Sequence, residues 1–172
     1  YCLDTAWLDH NILVRGPDLD FRIDSSICIY DSLSFTNLST PYRPQDSINN
    51  WTWRVAGDTL DGFQPSPYLF SSKGIQPVKL FATDINGCQD SLAKQVVVNG
   101  LPFLRVIPES DTICAGTIDT LIAFHNDPVS WTSNLTVPCI TCDTIAVAPN
   151  TNAYYAVRAT SAAGCISTDT IS

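Results

Sequence analysis

The feature that most constrains the fold of this chain is an internal repeat marked by cysteines. Cys2 and Cys28 recur 86 positions later as Cys88 and Cys114. A third, partial copy begins at Cys165, which follows a glycine as Cys88 does. Repetition at such a period predicts an array of similar domains rather than one large domain.

The repeat sets the expected domain boundaries. Residues 1–16 are predicted to be the last strand of a preceding repeat, residues 17–99 a first β-sandwich, and residues 100–172 a second one. The joints at 15–17 and 99–102 are only a few residues long. Since so short a linker gives little freedom, we expect neighbouring domains to be closely coupled.

The residues within each repeat predict an all-β fold. The chain has a single glutamate, Glu109, and no methionine, but many Asp, Asn, Ser and Thr residues, which favour turns and strand ends over helices. Short alternating segments separated by Gly and Asn predict strands. They lie at 21–24, 33–37, 51–55, 68–70, 78–83 and 95–98 in the first repeat, and at 121–124, 129–132, 144–147 and 153–159 in the second.

Several short strands at this spacing predict tandem immunoglobulin-like β-sandwiches. Trp53 and Trp131 fall in the strand where such folds bury a core tryptophan. We therefore expect these two side chains to lie in the cores. Trp7 and Trp51 complete the tryptophans of the chain.

Charge and cysteine content exclude several classes of protein. The net charge of −8 would repel a phosphate backbone, so nucleic acid is not an expected partner. No apolar run approaches the roughly 20 residues of a membrane helix, so this segment is not expected to span a membrane. Seven cysteines, with one C-x-x-C and two histidines, indicate disulfides in an oxidising compartment rather than a zinc site.

The repeat suggests how the cysteines pair. We expect Cys28 to bond Cys88 and Cys114 to bond Cys165, with a local bond between Cys139 and Cys142. Cys2 is left without a partner, which the repeat would place upstream. A redox function for Cys139 and Cys142 is the alternative, although no βαβ pattern surrounds them.

Three segments of the first repeat resemble a PKD domain, an immunoglobulin-like sandwich of extracellular proteins. They are Cys-Ile-Tyr-Asp-Ser-Leu-Ser-Phe-Thr-Asn-Leu-Ser at 28–39, Trp-Thr-Trp-Arg-Val-Ala-Gly-Asp at 51–58, and Val-Lys-Leu-Phe-Ala-Thr-Asp-Ile-Asn-Gly-Cys at 78–88. The second repeat is similar to related repeats of Bacteroidota surface proteins. Its matching residues are 112–116, Trp131, 139–142, Pro149, 154–157 and Gly164-Cys165.

The resemblance implies a non-catalytic, structural segment of an extracellular surface adhesin or stalk. Proteins of this kind leave the cell by type IX secretion and serve adhesion, gliding or surface assembly. Their partners are neighbouring repeats of the same or identical chains. Two alternatives stay open: a filament protomer in which residues 1–16 complete a neighbour's sheet, and a carbohydrate-binding module with exposed aromatic residues for surface glycans.

A second recurrent pattern is Asp, then Ser or Thr, then a small apolar residue. It resembles the acceptor motif for O-glycosylation in Bacteroidota, whereas its plainer interpretation is a polar start to a strand. The nine candidate hydroxyls are those of Thr5, Ser32, Ser47, Thr59, Ser91, Thr112, Thr120, Thr144 and Thr170.

Metal binding and catalysis have weaker signals. Asp18, Asp20 and Asp24, or Asp58 and Asp61, are candidate calcium ligands, but no D-x-D-x-D-G loop joins them. A catalytic triad would need one of the two histidines, His10 or His125, and no nucleophile motif accompanies either. We therefore expect no cofactor and no enzymatic activity.

Overall fold

The computed structural model describes residues 16–109 and 111–171, and every regular element in them is a β-strand. The all-β prediction is confirmed. No helix among the described residues is long and apolar enough to cross a membrane. The strand expected before residue 16 lies outside the described residues, as do Cys2, Thr5, Trp7 and His10.

The strands have two to eight residues each, except for two consecutive strands of eleven residues, β8 and β9. In chain order they are β1 (Phe21–Arg22), β2 (Ser26–Cys28), β3 (Ser32–Leu33), β4 (Thr36–Asn37), β5 (Ile48–Val55), β6 (Asp58–Asp61), β7 (Tyr68–Leu69), β8 (Gly74–Asp84), β9 (Gln89–Asn99), β10 (Leu104–Ile107), β11 (Asp119–His125), β12 (Val129–Ser133), β13 (Thr144–Val147), β14 (Tyr155–Thr160) and β15 (Ile166–Ile171).

The described chain divides into two compact units. Unit one comprises residues 16–23, 34–67 and 77–94, and unit two comprises residues 24–33, 68–76, 95–109 and 111–171. Strands β8 and β9 each contribute residues to both units. The sequence boundary at 99–100 stays a prediction.

Unit one is organised around Trp53. Strand β5 pairs antiparallel with β6 and β8, and its alternation buries Trp53 and Val55. The rings of Phe21 and Phe35 lie 5.0 and 5.3 Å from that of Trp53. The Trp53 indole Nε1 donates a hydrogen bond of 3.1 Å to the Gly62 carbonyl, so its polar atom is satisfied inside the core. The predicted burial of Trp53 is confirmed.

Strand β9 is fastened to β1 by one half-buried lysine. The Lys94 Nζ lies 2.9 Å from an Asp20 carboxylate oxygen and also donates to the Phe21 carbonyl. The same ammonium lies 4.8 Å from the centre of the Phe21 ring. The hydrogen bond from Lys94 is the largest cause that holds the pKa of Asp20 below its usual value.

Unit two contains a sandwich of two antiparallel three-stranded sheets. One has the order β10-β11-β13 and the other β12-β14-β15. If these strands are lettered A, B, C, E, F and G in chain order, the sheets are A-B-E and C-F-G, which is the arrangement of an immunoglobulin-like sandwich without its D strand. Strand C is β12, and its Trp131 is buried with Leu121, Ile145 and Val157, so the prediction for Trp131 is also confirmed.

The remaining strands of unit two form small pairs. Strand β2 runs parallel to the end of β9, with Ser26 opposite Val97 and Cys28 opposite Asn99. Strand β3 pairs antiparallel with β7. The pairing of β2 matters for the site because it fixes the position of Cys28.

We expect Lys94→Met to raise the pKa of Asp20, because methionine keeps an apolar stem over Phe21 and removes the ammonium. The ionised pair stabilises the fold above the unfolded pKa of Asp20, and this contribution is lost as the pH falls through the lowered folded pKa. The part of the stability difference between the variant and the parent chain that comes from the Asp20 ion pair should therefore be lost in acid. A carbon-13 NMR titration of the Asp20 carboxyl checks the shift.

The matched control is Lys79→Met, which removes a lysine near the Phe81 ring rather than near Asp20. It should leave the Asp20 titration unchanged. An Asp20 pKa that is the same in Lys94→Met as in the parent chain would contradict the ion pair.

Candidate functional site

The position of Cys28 is set by hydrogen bonds to the end of β9. The Asn99 side-chain amide donates to the Ser26 hydroxyl at 2.7 Å and to the Ile27 carbonyl at 3.1 Å. The Ile29 amide donates to the Asn99 carbonyl at 2.7 Å. Asn99 therefore holds both sides of the Cys28 backbone.

Cys28 forms a disulfide with Cys165. The two Cα atoms are 5.6 Å apart, and 137 positions separate the cysteines along the chain. Cys165 is buried and lies in the turn before β15, where its amide donates to the Ser161 hydroxyl at 3.1 Å. The bond is therefore a covalent brace between two distant segments of unit two.

This bond corrects the expected pairing of Cys28 with Cys88 and of Cys114 with Cys165. Cys28 lies opposite Asn99, whereas Cys88 immediately precedes the other end of the eleven-residue strand β9. At about 3.3 Å per residue, roughly 35 Å lie between those ends, while a disulfide needs Cα atoms within about 7 Å. Cys88 and Cys114 have free thiols, Cys88 half-buried and Cys114 exposed.

Cys139 and Cys142 form a second, local disulfide next to the core of the unit-two sandwich. The Trp131 amide donates to the Ile140 carbonyl at 2.7 Å, and the Trp131 indole Nε1 donates to the Cys142 carbonyl at 2.7 Å. The small loop thus satisfies the polar atoms of the central tryptophan. A redox function for this pair stays an untested alternative.

The sequence contains a signal for the cysteine positions but not for their partners. The repeat marks Cys28 and Cys114 as equivalent, and Cys88 and Cys165 as equivalent. Four such cysteines allow three connectivities, and the spacing does not distinguish them. Strand β2, whose pairing with β9 positions Cys28, has only three residues and was not predicted.

The candidate glycosylation hydroxyls share one environment. All eight that lie in the described residues are exposed, and none makes a hydrogen bond with the described part of the chain. They are Ser32, Ser47, Thr59, Ser91, Thr112, Thr120, Thr144 and Thr170. At four of these sites the preceding aspartate accepts a hydrogen bond of 2.7 to 2.9 Å from the Ser or Thr amide, so the carboxylate turns back and the hydroxyl faces solvent.

An open groove of about 630 Å³ lies on unit two. Its lining includes Asp111, Thr112 and Tyr154, together with Asn134. The Asn134 side chain bridges the walls, accepting from the Tyr154 amide at 3.0 Å and donating to the Asn152 carbonyl at 3.4 Å. Tyr154 is an exposed aromatic ring beside amide and hydroxyl groups, a combination that is common in small-molecule binding sites.

The tryptophans do not add to such a surface in the described residues. Trp53 and Trp131 are buried, and Trp51 is half-buried with its ring 5.3 Å from that of Phe63. At the groove, the carbohydrate-binding alternative therefore depends on Tyr154.

The candidate metal and catalytic residues lie apart. Among residues 16–109 and 111–171, no three His, Cys, Asp or Glu side chains are grouped so that they could hold a metal ion. Asp20, one of the candidate calcium ligands, is engaged by Lys94 instead. The His125 Nε2 lies 2.9 Å from an Asp143 carboxylate oxygen, and neither residue lines the groove.

No protein-family model matches the chain, and no curated protein matches it. Several solved structures do match the chain. The PKD1 domain of Vibrio anguillarum Epp matches with a TM-score of 0.44 and 18% identity, over 50% of this chain and 96% of that one. The PKD1 domain of the Vibrio cholerae metalloprotease PrtV matches with a TM-score of 0.43 and 21% identity, and the match covers 49% of this chain and 98% of that one.

A longer match is the SGBP-B protein of the Bacteroides ovatus mixed-linkage glucan utilization locus, solved in complex with a mixed-linkage heptasaccharide. Its TM-score is 0.38 at 13% identity, and the match covers 93% of this chain and 48% of that one. The chain thus spans about half the length of this protein.

We expect Cys28→Ser/Cys165→Ser to lower the free energy of unfolding by roughly 2–5 kcal/mol, because the bond closes a long loop in the unfolded chain. Urea denaturation followed by circular dichroism measures the change. The matched control is Cys88→Ser/Cys114→Ser, which removes two free thiols and should shift the free energy by at most about 0.5 kcal/mol. Equal decreases in the free energy of unfolding in the two double variants would contradict the disulfide between Cys28 and Cys165.

Proposed function

We propose that this chain is a non-catalytic structural segment of an extracellular bacterial surface protein, an adhesin or stalk that holds a more distal part away from the cell. The observation that carries the proposal is the disulfide between Cys28 and Cys165. It spans 137 positions, which include most of the described residues. Such bonds form and persist in oxidising compartments outside the cytosol.

The bond gives a physical reason for a mechanical function. Tension that enters before Cys28 and leaves after Cys165 passes through the sulfur atoms and bypasses the residues between them. Those residues therefore cannot be drawn out by pulling while the disulfide is intact. A surface stalk under shear needs this property, whereas a soluble enzyme does not.

The electrostatics of the described residues also favour a structural segment. Catalytic sites bring titratable groups together and shift their pKa values strongly. Asp20, whose pKa is lowered by Lys94, belongs to an exposed ion pair and does not line the groove. The groove beside Tyr154 contains amides, hydroxyls and one proline, with Asp111 as its titratable carboxylate.

The finer parts of the proposal come from the resemblance to Bacteroidota surface repeats. They are type IX secretion, a function in adhesion or gliding, and contacts with neighbouring repeats. Filament assembly by strand complementation depends on residues 1–16 and stays an alternative. Glycan binding at the Tyr154 groove is a further alternative, supported by one exposed ring among polar groups.

Single-molecule pulling on the chain, held by its two ends, tests the mechanical proposal. Without reductant, we expect residues 28–165 to contribute no extension. Reduction, or Cys28→Ser/Cys165→Ser, should add roughly 450–490 Å, which is 137 residues at about 3.3–3.6 Å each.

Cys139→Ser/Cys142→Ser is the matched control. It opens a loop of three positions inside the braced segment, so it should add no extension while the Cys28–Cys165 bond is intact. Identical extension curves with and without reductant would exclude the mechanical brace.

We also propose that the exposed Asp-Ser/Thr hydroxyls carry O-linked glycans. Their common exposure and lack of hydrogen bonds within the described chain support this. Site-resolved mass spectrometry of protein from its native source should find hexose masses on several of the eight described sites. Exposed hydroxyls without a preceding aspartate, such as Ser66 and Thr136, should be bare. Bare hydroxyls at all eight sites would refute the proposal.

A further inference from the structure

Cys28 and Cys114 lie in matching turns, which we name the first-type turns, residues 28–31 and 114–117. The Asp31 amide donates to the Cys28 carbonyl at 3.0 Å, and the Thr117 amide donates to the Cys114 carbonyl at 3.0 Å. The third residue of each turn has a positive φ, 72° at Tyr30 and 76° at Gly116. The offset of 86 positions in sequence is therefore also an equivalence of backbone conformation.

Cys88 and Cys165 lie in a second pair of matching turns, the second-type turns, residues 84–88 and 161–165. The first residue of each, Asp84 or Ser161, donates its amide to the cysteine carbonyl, at 3.0 and 2.9 Å. Its side chain accepts from the cysteine amide, at 2.8 and 3.1 Å. The glycine before each cysteine has a φ of 83° or 82°.

The disulfide of unit two joins one first-type turn to one second-type turn. It runs from the Cys28 turn to the second-type turn of the following repeat, that of Cys165. In the described part of the chain, one turn of each type is left with a free thiol, at Cys114 and Cys88. Cys114 and Cys88 therefore lie in the same two types of turn that the Cys28–Cys165 bond already joins.

We propose that Cys114 of one copy of this chain forms a disulfide with Cys88 of a second copy, and that the bond repeats the geometry of Cys28–Cys165. In the existing bond the second-type turn belongs to the repeat that follows the first-type turn, whereas Cys88 of the same chain lies in the repeat before Cys114. The first repeat of a second copy supplies a second-type turn in the required order. Because each copy has one free turn of each type between residues 16 and 171, the contact is head-to-tail and extends to a chain of copies.

The exposure of the two thiols suits this reaction. Cys114 is exposed and Cys88 is half-buried, so both can reach a soluble disulfide oxidant. The Cys114 thiolate attacks oxidised glutathione, forms a mixed disulfide and releases one glutathione thiol. The Cys88 thiolate of the second copy then attacks the Cys114 sulfur and releases the second glutathione. Two protein thiols are oxidised, one glutathione disulfide is reduced to two thiols, and both protein protons end on glutathione.

The test uses the whole chain with Cys2→Ser, which removes the cysteine outside the described residues. Equal amounts of nitrogen-14 and nitrogen-15 protein are mixed, oxidised with glutathione disulfide and separated on a non-reducing gel. We expect a ladder of dimers, trimers and longer species that grows with protein concentration. Peptide mass spectrometry should find Cys88–Cys114 peptides, about half of them of mixed isotope.

Two further variants make the test specific. Cys88→Ser alone and Cys114→Ser alone should each remain monomeric, while their 1:1 mixture should stop at dimers. Retention of the Cys28–Cys165 peptide shows that the variants are folded. Cys114–Cys114 dimers, Cys88–Cys114 peptides with no mixed isotope, or thiols that stay reduced would each overturn the proposal. The outcome is independent of the mechanical function proposed above, which depends on the Cys28–Cys165 bond alone.

Discussion

The structure depends on one interaction, the parallel pairing of β2 with the end of β9. Through Asn99, this pairing fixes the backbone on both sides of Cys28 and presents its sulfur to Cys165. A parallel pair of three residues is weak by itself, because so few hydrogen bonds barely offset the ordering of the chain. The disulfide makes the arrangement persistent. The mechanical proposal follows from that bond, and the proposed link between copies repeats its geometry.

The strands that could be predicted are those whose own side chains encode an alternating pattern. In β5, Trp53 and Val55 alternate with polar residues, and the structure buries both. The same holds for β12 around Trp131. Short strands with little pattern were missed. Strand β2 is held by Asn99 rather than by its own residues, and β6, which is flanked by Gly57 and Gly62, is absent from the predicted strands.

The site could be predicted only in part for a related reason. Cysteine positions and exposed hydroxyls are local properties, and the sequence marked both. Disulfide pairing is a tertiary property. Because Cys88 and Cys165 are equivalent in the repeat, the sequence offers both as candidate partners of Cys28. The eleven-residue length of β9 then decides between them, because it carries Cys88 to the far end of the strand. No pattern in the sequence states which end of β9 the Cys28 segment will meet.

The most direct test of the account is non-reducing peptide mapping of the purified chain after its free thiols have been alkylated. The account predicts one peptide pair that links Cys28 to Cys165, one local bond between Cys139 and Cys142, and alkylated Cys88 and Cys114. A map with Cys28 bonded to Cys88 and Cys114 bonded to Cys165 would contradict it. The pairing of β2 with the end of β9, the mechanical brace and the link between copies would then have to be abandoned together.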